Sequence, residues 1–94
     1  MDIRTELVTA ERAARLVATV LPVPMLPGEQ VIRYGRKMLA GAWQPGLPAL
    51  VIIGGRLNDG LHRCQAVAWA AEQLGDPSFG VQMTVIYVPG RAMA

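Results

Sequence analysis

Between residues 49 and 74 the chain reads as strand, turn, short strand and helix with almost nothing between them. Ala49-Leu50-Val51-Ile52-Ile53 is a continuous apolar run, the pattern of a strand buried on both faces. Gly54-Gly55 breaks it with a tight turn, and Arg56-Leu57 is enough for a short return strand. Leu61, Cys64, Val67 or Ala68, Ala71 and Leu74 then recur at helical spacing, so they should face the core. Gly75-Asp76-Pro77-Ser78 closes that helix. A glycine turn directly before a helix leaves backbone N–H groups at its start, where the helix dipole is positive, and such a spot is a ready anion site. His62, the chain's one histidine, and Arg63 fall in this first turn.

The flanking segments complete a small fold. Ile3 to Val8 is either a short strand or a loose lead-in. Thr9 is a natural N-cap, and the helix behind it is expected to run to Val20, with Ala13, Leu16, Val17 and Val20 on its apolar face. Pro22, Pro24 and Pro27 predict a stiff connector. A second helix is expected from Gly28 to Ala40, with Val31, Tyr34, Gly35 and Met38 inward and Arg33, Arg36 and Lys37 outward. Gly80 to Val88 alternates with strand period, Val81, Met83, Val85 and Tyr87 sharing one face. The fold class expected is α+β (α/β-like): one domain over residues 1–94, a short mixed sheet packed against three helices. The helix between the two long strands can serve as a parallel crossover.

Composition narrows the function classes. Hydrophobic residues make up 52% of the 94 and charged ones 17%, so the chain is neither disordered nor a solvated tail. Sparse charge leaves surface for a protein partner or a second copy. The net charge of +2 does not by itself argue for nucleic acid. Its distribution says more: between Arg33 and Arg63 stand five basic residues and one acid, Asp59. A single cysteine, Cys64, excludes an internal disulfide and a cysteine metal cluster, which suits a cytoplasmic protein. No segment is long and apolar enough to predict a membrane span.

Asp59-Gly60-Leu61-His62-Arg63, with Ala66 behind it, resembles the D-G-x-H-R-x-x-A signature of the ParB/sulfiredoxin-like superfamily. The closer likeness is to its phage-type branch. Val31 to Trp43, with Met38, Gly41 and Trp43 at matching places, is similar to that branch's R-x-x-x-M-x-x-G-x-W helix, and the likeness covers roughly Thr9 to Gly90. It implies a phage or mobile-element protein that binds a nucleotide or nucleic-acid phosphate through Asp59, Gly60, His62 and Arg63. There Gly60 permits close backbone approach, Arg63 clamps charge, His62 donates, and Asp59 orients them or contacts Mg²⁺ alongside a nucleoside triphosphate. Two departures matter. Leu61 replaces the branch's Gln, and in sulfiredoxins that position holds the nucleophilic cysteine, so sulfiredoxin chemistry is not expected. Glu72 lies about three turns further along its helix, too far to assist His62, and no separate general base is evident. The expectation is therefore binding rather than turnover.

Each feature has a plainer reading beside it. Asp59 is also a good N-cap residue. Arg33, Arg36 and Lys37 form either a nucleic-acid face or a solvated helix surface. Cys64 reads as a buried structural thiol. The alternative for the whole chain is a protein-interaction module with a vestigial site, binding a host or defence protein. A homo-oligomer is compatible with either reading.

Overall fold

In a computed structural model, residues 1–20, 28–46 and 49–90 are described. The proline connector at 22, 24 and 27 and the end of the turn before residue 49 lie outside them. In chain order the elements are β1 (Asp2–Thr9), α1 (Ala10–Val17), α2 (Glu29–Leu39), β2 (Leu50–Ile53), β3 (Arg56–Asp59), α3 (Leu61–Leu74) and β4 (Gly80–Val88). The four strands form one mixed sheet in the order β1-β4-β2-β3. β4 pairs antiparallel with β1 and parallel with β2, while β2 and β3 form an antiparallel hairpin across Gly54-Gly55. The connection from β2 to its parallel neighbour β4 passes through β3 and α3. This is a small α+β domain with a mixed sheet and three helices.

The lead-in segment is a full strand, registered from Asp2 opposite Tyr87 to Thr9 opposite Gly80. Thr9 then caps α1, its hydroxyl accepting from the Arg12 N–H at 3.2 Å. The helix stops at Val17, short of the Val20 expected from periodicity. Its last turn tightens into i→i+3 bonds, Thr19 N to Leu16 O and Val20 N to Val17 O, both at 3.0 Å. The Thr19 hydroxyl donates to Leu16 O at 2.6 Å and accepts from Leu57 N at 2.9 Å. The Thr19 side chain thus ties the end of α1 to β3.

The core lies on one face of the sheet. Val8, Leu50, Ile52, Leu57, Met83 and Val85 meet Ala13 and Leu16 of α1, Val31 and Met38 of α2, and Cys64, Ala66, Val67 and Ala70 of α3. α3 is central, packing against both other helices and the sheet. Its buried set is wider than a single stripe, Arg63, Cys64, Ala66, Val67, Ala70 and Ala71, and the expected core residue Leu74 is exposed at its end. β2 is not buried on both faces: Leu50 and Ile52 are inside, but Val51 is half-buried and Ile53 exposed, because the helices cover one side of the sheet. α2 approaches α3 closely at Gly35. A Cβ there would lie 2.3 Å from Trp69 Cε3, so only glycine fits.

Candidate functional site

The site is built where β3 turns into α3. Asp59 is the last residue of β3, and Gly60 follows as the N-cap of α3 with φ 105°. That left-handed conformation suits glycine, and a Cβ would also strike Leu50 Cδ2 at 2.2 Å. Asp59 is therefore not the N-cap. No side chain caps α3, and no acid stands in its first turn. The leading N–H groups of the helix thus carry their positive end without a side-chain cap.

The two cationic candidates are treated differently by the fold. His62 is exposed. Arg63 is buried, its side chain 10% exposed, and its Nη2 lies 3.8 Å from Asp59 Oδ1, whose own side chain is 61% exposed. At that distance the pair is an ion contact rather than a hydrogen bond. The reading of Arg63 as a solvated first-turn residue is therefore excluded, and Asp59 stands where it can orient the guanidinium.

Arg63 and Tyr34 line two adjoining clefts. One, of about 320 Å³, is bounded by Val20, Leu57 and the whole run Asn58 to Arg63. The other, of about 220 Å³, is bounded by Lys37, Trp43, Gln44, Leu50 and Met83. Tyr34 and Trp43 meet edge to face at 5.4 Å between centroids, and among the described residues Trp43 Nε1 is a buried donor without a partner. Of the helix-two cations, Lys37 shares a surface hollow with Arg33 and Arg36 and also reaches the cleft at Arg63. Lys37 joins Arg63 on a cleft, whereas Arg33 pairs with Glu29 at 3.4 Å on the exposed face, and Arg36 is exposed beside it. Sequence spacing placed Lys37 with Arg33 and Arg36; the meeting with Arg63 depends on how α2 packs on α3.

Among the described residues no three His, Cys, Asp or Glu side chains gather as a metal-binding group. A divalent cation at Asp59 would share the carboxylate with the Arg63 guanidinium. Cys64 is fully buried, and burial pushes its thiol up to about 12. A thiol that high is neither a nucleophile nor a metal ligand near neutral pH.

A second polar cluster escaped the sequence reading. Glu6, Arg12 and Tyr87 close a partly buried triangle: Arg12 donates to Glu6 and to Tyr87, and Tyr87 donates to Glu6. Burial works against ionised Glu6, but the bonds from Tyr87 and Arg12 outweigh it and hold the carboxyl below its ordinary value. Burial, then the bond to Glu6, raises the Tyr87 phenol. The triangle ties β1, α1 and β4 together.

Comparison with protein-family models, curated proteins and solved structures returned no match. No helix among the described residues is long and apolar enough to cross a membrane.

Proposed function

We propose that this chain is a ParB/sulfiredoxin-like domain that binds a phosphate-bearing ligand, a nucleotide or a nucleic-acid phosphate, at the turn Asp59–Arg63. The observation that carries this reading is the place of Arg63: a nearly buried guanidinium between two clefts, in the first turn of a helix whose N-terminus no side chain caps. Guanidinium geometry matches phosphate oxygens, and charged hydrogen bonds strengthen where water is excluded. Gly60 lets a ligand approach the backbone, exposed His62 supplies a further donor, and Lys37 adds a second charge at the neighbouring cleft. Tyr34 and Trp43 provide apolar wall for the rest of the ligand. Among the described residues lining the two clefts Asp59 is the one carboxylate, and it faces a cation, which favours binding over turnover.

Calorimetric titration with ATP, CTP, GTP and inorganic phosphate, with and without Mg²⁺, tests the proposal. Binding that weakens in His62→Ala and in Arg63→Lys supports it. No binding of any of these, nor of an oligonucleotide, by the folded parent would sink it and leave the interaction-module reading in its place. The exposed apolar residues Ile3, Leu7, Ile53 and Leu74 are the observation that favours that second reading.

A further inference from the structure

We infer that β1 is a self-complementary edge, and that two copies of this chain pair through it, antiparallel about a two-fold axis centred on Thr5. The sheet has two edges, and they differ. β3 is four residues long, carries Arg56 and Asp59, and adjoins a register shift in its pairing with β2. Shortness, charge and irregularity are the usual protections of an edge. β1 spans eight residues without proline or lysine, and its pairing with β4 runs in unbroken register. Residues Met1 to Thr5 are all exposed, so no described element covers this side.

The side-chain pattern identifies the occupant as another β1. Even-numbered residues of the strand share the helix-side face with buried Val8, while Ile3, Thr5 and Leu7 point to the opposite face, where Ile3 is 62% and Leu7 52% exposed. A two-fold axis normal to the sheet preserves faces, so paired residue numbers must sum to an even number. With the sum at ten, Arg4 lies opposite the second copy's Glu6, Glu6 opposite its Arg4, and Ile3 and Leu7 opposite each other. Moving to a sum of eight sets Arg4 against Arg4 and Asp2 against Glu6. Moving to twelve sets Glu6 against Glu6. Opposite charges facing across strands stabilise and like charges destabilise, so one register is selected and its neighbours are penalised. For this role Arg4 would exchange an exposed ion pair with Asp2, of the kind with little net worth, and its place over the Tyr87 ring, while Glu6 keeps its bonds from Arg12 and Tyr87 and gains the second copy's Arg4 as a further cation. The exposed Ile3 and Leu7 would then continue an apolar row across both copies. A strand pair buries less than the roughly 800 Å² per partner of a standard stable interface, so a concentration-dependent dimer is expected.

Sedimentation velocity of the full chain under reducing conditions, from micromolar to millimolar, should show a reversible monomer–dimer equilibrium. Arg4→Glu should weaken it roughly tenfold or more, by turning both charge pairs into repulsions, while circular dichroism stays that of the parent. Register is read by oxidation. Thr5→Cys should form a disulfide dimer readily because the two positions face each other, and Ile3→Cys should not, because each Ile3 faces Leu7. Buried Cys64 stays out of this chemistry. A chain monomeric throughout, a dimer indifferent to Arg4→Glu, or Ile3→Cys crosslinking as readily as Thr5→Cys would overturn the inference. A monomer that captures only a foreign strand would do so too.

Discussion

The Asp59 carboxylate sits 3.8 Å from the Arg63 guanidinium, the aspartate mostly in water and the arginine mostly out of it. In such a pair the acid can swing aside and the base cannot. A ligand phosphate can thus take over the place of the carboxylate at Arg63, and the two compete. Asp59→Asn should therefore tighten phosphate binding by about two- to fivefold while changing stability by at most ~1 kcal/mol, as for other partly exposed pairs. Paired titrations and thermal melts check this. Weaker binding in the folded variant would instead show that Asp59 assists the ligand.

Arg63→Ala should lose about 1.5–3 kcal/mol of binding free energy, the scale of a hydrogen bond to a charged group. Arg63→Lys should recover only part, because an ammonium lacks the planar fork. Calorimetry of both variants with the tightest-binding nucleotide measures the difference.

Lys37 and its neighbours on α2 should part company. Lys37→Gln is expected to weaken ligand binding severalfold, since it lines the cleft with Arg63. Arg33→Gln with Arg36→Gln should leave small-ligand affinity unchanged. If long nucleic acid binds, the same double variant should reduce its affinity and flatten its salt dependence, as expected when phosphate contacts are lost. Equal effects of both variants on a mononucleotide would contradict this division.

How far the sequence reaches is visible in these residues. Local spacing is enough for β4, for both edges of α2 and for the hairpin at Gly54-Gly55, because alternation, helical period and turn glycines are short-range signals. It also finds the turn from Asp59 to Arg63. It does not find that Arg63 is buried while His62 is exposed, since helical position alone does not say which first-turn residue meets another helix. Lys37 reaches the cleft through tertiary packing, and the Glu6–Arg12–Tyr87 triangle joins residues 75 and 81 positions apart. Past the early end of α1, Thr19 accepts from Leu57 of β3, 38 residues away, a bond that local spacing does not reveal.

The Glu6–Arg12–Tyr87 triangle makes stability depend on pH at both extremes. Glu6 is held below its ordinary 4.5 in the fold, so its contribution is complete above that value and is lost as the pH falls through the lowered one. Tyr87 is held above its ordinary 10.0, so stability also declines as the pH rises past that value. Urea unfolding against pH should show both slopes. Glu6→Gln should flatten the acid slope most, and Tyr87→Phe the alkaline one.

Cys64 should resist a thiol reagent in the native protein and react only on unfolding, because burial disfavours its thiolate. Cys64→Ala should cost about 1 kcal/mol of stability, a small buried truncation, with ligand binding intact. Rapid native-state modification would contradict this.

The notch at Gly35 sets how deeply α2 sinks toward α3, and Lys37 and Arg63, which line one cleft, stand on those two helices. The gap available to a ligand is thus gauged by a hydrogen atom that carries no charge of its own. A methyl group added at this point would act as a wedge, prying the two cations apart without touching either. In this domain a change of size between helices can imitate a change of charge at the mouth of the cleft.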